Sequence, residues 1–305
     1  MRLPPMVSNP AYSYPFARQH RFPMEKFGLL NTYLSERSLL TPHNLFRPGK
    51  AREDVLANAH CPDYIAAVSN NRLDPKAARR LGLPWSEGLI KRSWISPNGT
   101  LLTAQLALRH GVACHLAGGT HHAHYNFGSG FCVFNDLAVA AKGMLARGQL
   151  SRVLIFDCDV HQGDGTATIL ANTPGAYTCS LHCEKNFPAR KAQSDLDINI
   201  PKGADDAAYL ALLADALEQA LTASQPQLVI YDAGVDIYRG DPLGLLNVSE
   251  AGIRERDRYV LQRCLRAGIP VATVIGGGYD DDREALARRH AIVVEEAQQC
   301  FASLG

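Results

Sequence analysis

Residues 153–165 read VLIFDCDVHQGDG, in which four consecutive apolar residues are followed directly by acidic residues and a histidine. A short apolar run with polar residues at its end is typical of a strand in a parallel sheet, buried on both faces. In open sheets of this kind, ligands bind beyond the carboxyl ends of the strands. The stretch therefore predicts an α/β fold and a functional site at the end of this strand.

Similar apolar runs recur along the chain and alternate with helical patterns. Strands are predicted at 112–116, 153–156, 177–181, 228–231 and 271–275, and helices at 101–109, 135–147, 207–221, 249–267 and 283–302. The first fifty residues are rich in proline and aromatic residues and are predicted to be irregular, with short helices to follow. The alternation favours a parallel sheet with helices on both faces. Because no linker or repeat divides the chain, residues 1–305 are predicted to form one domain.

The composition narrows the functional classes. The chain has 305 residues, 46% of them hydrophobic, and its 31 Lys+Arg and 30 Asp+Glu leave a net charge of +1. A neutral chain without a basic run gives no support to a nucleic-acid or membrane partner. The first 22 residues lack the apolar core of a signal peptide, and the eight cysteines include no Cys-x-x-Cys pair. These features predict a cytoplasmic protein with reduced thiols, and they leave the oligomeric state open.

Chemically active residues follow four of the predicted strands. The strand ends continue as AGGTHH at 117–122, DCDVHQGDG at 157–165, DAGVD at 232–236 and GGGY at 276–279. The carboxyl ends of parallel strands lie at one edge of the sheet, so these segments are expected to meet there.

A metal site is predicted from three of these residues. Asp159 and His161 are two residues apart on an extended segment, and Asp236 arrives from another strand end. Two carboxylates and one imidazole leave a coordination position open for water, as a catalytic divalent metal requires. The alternative is that the aspartates cap helices, and Asp232 is interpreted in that way and left out of the site.

An acid/base pair is predicted beside the metal. His121 and His122 are adjacent, and each requires a partner that orients its ring, for which Asp157 and Asp164 are the local candidates. Such a pair favours proton transfer to and from a substrate. Tyr279 follows three glycines and is predicted to bring its hydroxyl to a substrate carbonyl.

Taken together, the motifs resemble the histone deacetylase superfamily, which includes acetylpolyamine amidohydrolases and acetoin-utilisation proteins. The matching segments, in family order, are HRFPM at 20–24 with Lys26, GGTHHA at 118–123, GSGFCVFND at 128–136, DCDVHQGDG at 157–165, SLH at 180–182, AGVD at 233–236 with GDPLG at 240–244, and GGGY at 276–279. His161-Gln162 replaces the His-His of the larger classes, which is similar to the class IV branch and its bacterial relatives. The resemblance implies an arginase-like, three-layer α/β/α fold with a mostly parallel central sheet.

The resemblance also implies roles for individual residues. It implies one catalytic zinc, with ferrous iron as an alternative metal in vivo, and a structural potassium ion. The implied zinc ligands are Asp159, His161 and Asp236, and the implied base/acid pair is His121 and His122, oriented by Asp157 and Asp164. Tyr279 is implied to bind the scissile carbonyl, in a substrate channel formed by Gly130, Phe131 and Phe187. The residues implied to hold potassium are Asp157, Asp159, His161, Ser180 and Leu181.

The implied reaction is hydrolysis of an acyl group, acetyl or longer, from the ε-amine of lysine in proteins or from a related small amine. The alternatives are an acetylpolyamine or small-amide deacetylase, an arginase-like ureohydrolase and a silent binding homologue. A ureohydrolase requires a further carboxylate where this chain has Gly163, and the intact ligand set argues against a silent homologue.

One segment departs from the pattern of the larger classes. They carry an acidic residue on a loop at the rim of the site, where it grips the substrate backbone. The corresponding region here, SWISPNGT at 93–100, has no carboxylate. The sequence therefore predicts a weaker grip on an extended peptide backbone and on polyamines.

Overall fold

Eight parallel strands form one central sheet in the computed structural model, which describes residues 3–303. The strands are β1 (Met6–Val7), β2 (Leu45–Phe46), β3 (Val112–His115), β4 (Val153–Asp157), β5 (Ala176–Cys183), β6 (Leu196–Ile200), β7 (Val229–Asp232) and β8 (Val271–Val274). Their order across the sheet is β2-β1-β3-β8-β7-β4-β5-β6, and each neighbouring pair is parallel. The predicted α/β class with a parallel sheet is confirmed.

Ten α-helices surround this sheet among the described residues. They are α1 (Lys26–Glu36), α2 (Glu53–Ala57), α3 (Pro62–Ser69), α4 (Pro75–Leu81), α5 (Glu87–His110), α6 (Asp136–Ala146), α7 (Asp164–Leu170), α8 (Asp206–Ser224), α9 (Glu250–Arg266) and α10 (Arg283–Ala302). One layer contains α5, α6 and α7, and the other contains α1, α8, α9 and α10. Both layers contact the sheet, which gives the expected three-layer arrangement.

The central strands are apolar because helices cover them on both sides. Every residue of β3, β4, β7 and β8 is buried. In contrast, the edge strand β6 is only partly buried and has the polar sequence LDINI. Sequence reasoning missed β6 for that reason, and it also missed β1 and β2, which have two residues each and lie in the segment predicted to be irregular.

Local capping explains why several helix boundaries were close to their predicted positions. Asn135 accepts a hydrogen bond from the backbone NH of Ala138 at the start of α6, and Ser249 does the same for Gly252 in α9. Such side chains satisfy backbone donors that the first turn leaves free. The capping residue is thus a local signal that sequence alone reveals.

The prediction that residues 93–100 form a rim loop is wrong. They lie in the middle of α5, which continues through Pro97, and Trp94 and Ile95 are buried. Proline removes one helical hydrogen bond, and this apolar segment stays helical because α5 packs against β1, β3 and β8. The rim of the site is therefore built from other residues.

The strand order places the four motif-bearing ends side by side. β3, β8, β7 and β4 are consecutive in the middle of the sheet. Their carboxyl ends therefore meet at one edge, as the sequence analysis expected. Within residues 3–303, no helix is both long and apolar enough to cross a membrane.

Candidate active site

Three buried side chains that could hold a cation form a compact cluster beyond β4 and β7, which we call the cation cluster. The ligand atoms of Asp159, His161 and Asp236 all lie within 4.8 Å of one another. Nδ1 of His161 lies 3.0 Å from Oδ1 of Asp159 and 3.2 Å from Oδ2 of Asp236. Two carboxylates with one imidazole are a donor set that suits a catalytic zinc ion.

The backbone leaves room for this cluster at a glycine. A Cβ atom at Gly277 would collide with Oδ2 of Asp236 and would lie 2.5 Å from Oδ2 of Asp159. The backbone NH of Gly277 instead donates to Asp159 over 2.7 Å. The absence of a side chain at this position therefore preserves the cation cluster, and the donor set fits a divalent metal.

The electrostatics of the cluster also favour a bound positive charge. Burial lowers the pKa of His161, but its hydrogen bonds to Asp159 and Asp236 outweigh burial and raise it to about 10. Burial and the nearby Asp159 raise the pKa of Asp236. A metal requires the neutral imidazole, so metal binding there would compete with a proton.

The histidine pair lies directly beside this cluster. Nδ1 of His121 lies 2.7 Å from Oδ2 of Asp157, and Nδ1 of His122 lies 2.7 Å from Oδ1 of Asp164. The two Nε2 atoms are 3.2 Å apart. A carboxylate thus orients each ring through Nδ1, which leaves the two Nε2 atoms for proton transfer.

The two histidines differ in proton affinity. Burial lowers the pKa of His121, but the carboxylates of Asp157 and Asp159 outweigh burial and hold it well above its usual value. Burial and the positive charge of His121 lower the pKa of His122 to about 4. Groups whose pKa values are pushed apart in this way can serve as an acid and a base.

Tyr279 is buried and is held by contacts to its backbone. Its NH donates to Oδ2 of Asp241 over 2.7 Å. Nζ of Lys26 donates to the carbonyls of Gly276 and Gly278 over 3.2 and 3.4 Å. Burial raises the pKa of the Tyr279 phenol well above its usual value, so the hydroxyl remains a hydrogen-bond donor.

The predicted channel residues line a cavity that leads to these groups. The cavity has a volume of about 440 Å³, and Gly130, Phe131, Phe187, His122 and Tyr279 are among its lining residues. The ring of Phe187 is 42% exposed, and its centroid lies 4.8 Å from that of His122. A Cβ atom at Gly130 would lie 2.6 Å from the ring of His122, so this glycine permits the close approach.

The residues expected to hold potassium are Asp159 and His161 of the cation cluster together with the strand residues Asp157, Ser180 and Leu181. Asp157 is paired in register with Ser180 of β5, and Leu181 follows in that strand. Oδ1 of Asp157 accepts a hydrogen bond from the NH of Asp159 over 3.0 Å. The expected residues are therefore neighbours, although Asp157 forms its closest ligand cluster with His121 and Asp232.

The interpretation of Asp232 as a helix cap is wrong. The next helix, α9, begins only after Ser249, and Asp232 lies with His121 and Asp157 in a buried cluster. Neither carboxylate oxygen has a hydrogen-bond partner among the described residues. Burial and the nearby Asp157 raise its pKa well above the usual value, which favours the neutral acid.

Sequence reasoning also missed a buried arginine behind the site. Arg256 of α9 is fully buried and donates to the carbonyls of Cys158, Ala233 and Gly234, which lie at the ends of β4 and β7. Its guanidinium pairs with Asp257 over 2.9 Å. An arginine in an amphipathic helix is usually exposed, so no sequence signal indicated this role.

Asp136 is a second missed residue with a structural role at the site. Its carboxylate accepts hydrogen bonds from the backbone NH groups of Gly119 and Thr120 and from the hydroxyl of Thr100. It thereby fixes the glycine turn that precedes His121. The quoted segment GSGFCVFND contains this residue, and the sequence signal was its place in that motif.

Known proteins resemble the chain both in sequence and in fold. The relatives include an uncharacterized protein of Picosynechococcus sp. (strain ATCC 27264 / PCC 7002 / PR-6), 48% identical over 97% of this chain and 99% of the relative. Histone deacetylase 2 of Arabidopsis thaliana is 32% identical over 85% of this chain and 70% of its own length. Acetoin utilization protein AcuC of Staphylococcus aureus (strain COL) is 30% identical over 90% and 76%.

Solved structures show the same fold. The crystal structure of an HDAC homolog complexed with SAHA matches with a TM-score of 0.79 and 23% identity, over 99% of this chain and 89% of that one. The HD domain of HDA15 matches with a TM-score of 0.78 and 21% identity, over 99% and 93%. The Histone deacetylase domain family matches residues 20–297, which is most of the chain. By this match and by the fold that surrounds its histidine pair, the chain belongs to the histone deacetylase family.

Proposed function

We propose that the protein is a zinc-dependent deacylase that removes an acetyl group from the ε-amine of lysine or from a related amine. The observation that carries the proposal is that three groups of side chains lie together at one cavity. These are the carboxylate-oriented pair His121 and His122, the cation cluster of Asp159, His161 and Asp236, and the hydroxyl-bearing Tyr279.

The cation cluster is the place for the metal in this proposal. Asp159, His161 and Asp236 would hold it, and ferrous iron is the alternative to zinc. When bound, the metal supplies Lewis acidity toward water and toward the acyl carbonyl. The buried neighbours Asp157, Ser180 and Leu181 are proposed to contribute to a structural potassium site, together with Asp159 and His161.

The chain's own residues account for proton movement and charge stabilisation. The two Nε2 atoms of His121 and His122 are 3.2 Å apart, so the pair can accept a proton from the attacking water and return one to the departing amine. Tyr279 keeps its phenolic proton and can donate it in a hydrogen bond to the acyl oxygen as negative charge develops there.

The inner end of the cavity favours a short acyl group. Its free volume is only about 30 Å³, and its walls include Phe22, Lys26, Arg92 and Tyr279. A space this small favours the methyl of an acetyl group over a long acyl chain.

The test combines metal analysis with a substrate panel. We expect about one zinc per chain after reconstitution, loss of activity with a chelator and its recovery with zinc. Acetyl-lysine peptides should have a higher kcat/KM than propionyl-, decanoyl- and myristoyl-lysine peptides of the same sequence. Acetylated polyamines and arginine complete the panel. Absence of turnover of any acylated amine by the zinc-loaded protein would refute the proposal.

We further propose that residues 1–305 act as one cytoplasmic catalytic domain without a nucleic-acid partner. The terminal residues 1, 2, 304 and 305 lie outside the described residues. The proposal is supported by the net charge of +1 and by eight cysteines that form no disulfide.

A further inference from the structure

The outer part of the substrate cavity has an uneven distribution of charge. Three arginines line it, namely Arg21, Arg79 and Arg80, which we call the arginine rim. Within the described part of the chain, no aspartate or glutamate is among the lining residues of this cavity. The chain as a whole is almost neutral, so the positive charge is a local feature of the entrance.

The arginine rim comes from two separate segments that are tied together. Arg21 follows His20, whose Nε2 lies 3.1 Å from the carbonyl oxygen of Gly82 at the end of α4. The adjacent carbonyl of Leu81 accepts a hydrogen bond from the NH of Phe131 over 2.9 Å. The last turn of α4 is thereby held against the channel wall, which positions Arg79 and Arg80 at the entrance.

No arginine of the rim forms an ion pair with a described acidic residue, although Asp74 at the start of α4 interacts electrostatically with Arg80. Neither Arg21 nor Arg79 forms an ion pair with another described residue, and the guanidinium of Arg80 stacks on the ring of Phe127 at 3.8 Å. Stacking orients a guanidinium while its NH groups remain free to donate.

A purely structural role accounts for only part of this arrangement. Arg79 and Arg80 lie in the last turn of α4, where positive charge stabilises the end of the helix. That role gives no reason for Arg21, which comes from another segment and lines the same cavity. The convergence of the two segments requires a second explanation, which a negatively charged ligand supplies.

We infer that the substrate carries a carboxylate close to its acylated amine, and this inference rests on the proposed deacylase function. Arginine donates to carboxylates in a geometry that can be bidentate. The source of the carboxylate can be an acidic residue beside acyl-lysine in a peptide or the free carboxylate of an acylated amino acid. The same rim repels polycations, so acetylated polyamines are poor substrates.

The first experiment varies only the charge next to acetyl-lysine. Three peptides carry acetyl-lysine flanked by glutamate, glutamine or lysine, and free Nε-acetyl-lysine is compared with its carboxamide. With the zinc-loaded protein, we expect kcat/KM to fall from acidic to neutral to basic peptide by on the order of fivefold at each step. The preference should shrink as salt is added. A preference seen only between acetyl-lysine and its carboxamide would assign the carboxylate to a small molecule.

Variants connect the preference to the rim. The double variant Arg79→Glu/Arg80→Glu should reverse the order of the acidic and basic peptides. If the reversed charges prevent folding, Arg79→Gln/Arg80→Gln replaces it and should weaken the preference, because only Arg21 of the rim remains charged. Arg147→Glu is the matched control, because this exposed arginine follows α6 at the opposite edge of the sheet. It should leave the order unchanged.

Binding separates this inference from the proposed function. Fluorescence anisotropy of the three labelled peptides measures affinity whether or not turnover occurs. Tighter binding of the acidic peptide without turnover would support the rim and refute the deacylase. Equal affinities of the three peptides at low salt, or a preference unchanged in both double variants, would overturn the inference.

Discussion

Tyr279 is placed by groups that are distant from it in the sequence. Asp241 accepts a hydrogen bond from the backbone NH of Tyr279. Lys26 donates to the carbonyls of Gly276 and Gly278, on either side of Gly277. Lys26 is itself fully buried, and burial lowers its pKa to about 8. The orientation of one hydroxyl therefore depends on residues from three separate parts of the chain.

Removal of that hydroxyl tests its role. We expect Tyr279→Phe to lower kcat for acetyl-lysine peptides by about 10²-fold, because one donor to the developing oxyanion is lost. The Tm should change little, since the ring and its packing remain. Tyr125→Phe, which alters a half-exposed tyrosine, is the control. An unchanged kcat in Tyr279→Phe would refute the assignment.

At the scale of elements, the candidate site lies at the strand ends. Two features keep these ends in place, namely the glycine segment after β8 and Arg256 of α9. The glycine segment after β8 lies so close to Asp159 and Asp236 that no side chain fits at Gly277. Behind the strand ends, Arg256 of α9 joins the carbonyls that follow β4 and β7. One feature works by close approach and the other by hydrogen bonding, and both act on the cation cluster.

A single methyl group tests the first feature. Gly277→Ala should displace the carboxylates of Asp159 and Asp236 and lower zinc affinity by 10-fold or more, which isothermal titration calorimetry can measure. Gly49→Ala is the matched control, because a Cβ atom at Gly49 has no heavy atom within 4 Å and its φ is not positive. Equal zinc affinities in the two variants would show that the close contact at Gly277 is unimportant.

Two arginines of the same helix test the second feature. Arg256→Met leaves the buried Asp257 without its ionic partner and should lower the free energy of unfolding by about 3–5 kcal/mol. Arg263→Met, which breaks a partly exposed pair with Glu218, should cost about 1 kcal/mol or less. Urea unfolding measures both, and similar losses would contradict the proposed role of Arg256.

Element boundaries also show how far local patterns reach. The apolar runs of β3, β4, β7 and β8 were predicted correctly because both faces of these strands are buried. The helix interior at 93–100 was mistaken for a loop because the corresponding region of the larger classes was expected to be one. The packing of α5 against three strands is a tertiary contact, and no local pattern contains it.

At the scale of the whole molecule, buried neutral histidines connect stability to pH. His60 accepts a hydrogen bond from the NH of Asn135 through Nε2, and its Nδ1 donates to the carbonyl of His124. Burial lowers the pKa of His60 to about 4 and that of His115 to about 3. In the unfolded chain a histidine has a pKa of about 6.5. It is therefore protonated in the unfolded chain at pH values where the buried histidine of the folded chain stays neutral.

The expected consequence is a loss of stability in mild acid. Between pH 6.5 and 4 the unfolded chain binds more protons, so His60 should destabilise the fold by up to about 3 kcal/mol as the pH falls across this window. Burial raises the pKa of Asp241 to about 8, so this residue should stabilise the fold as the pH falls. The contribution of His60 is therefore best measured as a difference between variants.

Urea unfolding at pH 7 and pH 4.5 supplies that difference. His60→Gln should lose less stability than the unaltered protein between the two pH values, because glutamine does not titrate. His43→Gln replaces an exposed histidine and should behave like the unaltered protein. An identical pH dependence in all three proteins would remove His60 from the explanation.

The sequence alone determined the fold class, the strand ends that carry the site and the residues that stand there. These features are local, since an apolar run, a capping residue or an Asp-x-His spacing is visible within a few positions. Tertiary structure alone decided that Asp232 is buried and caps no helix. It also decided that Arg256 binds the strand ends and that Arg21 lies with Arg79 and Arg80 at the cavity entrance. Each of these depends on contacts between segments far apart in the chain, and such contacts exist only once the sheet has brought those segments together.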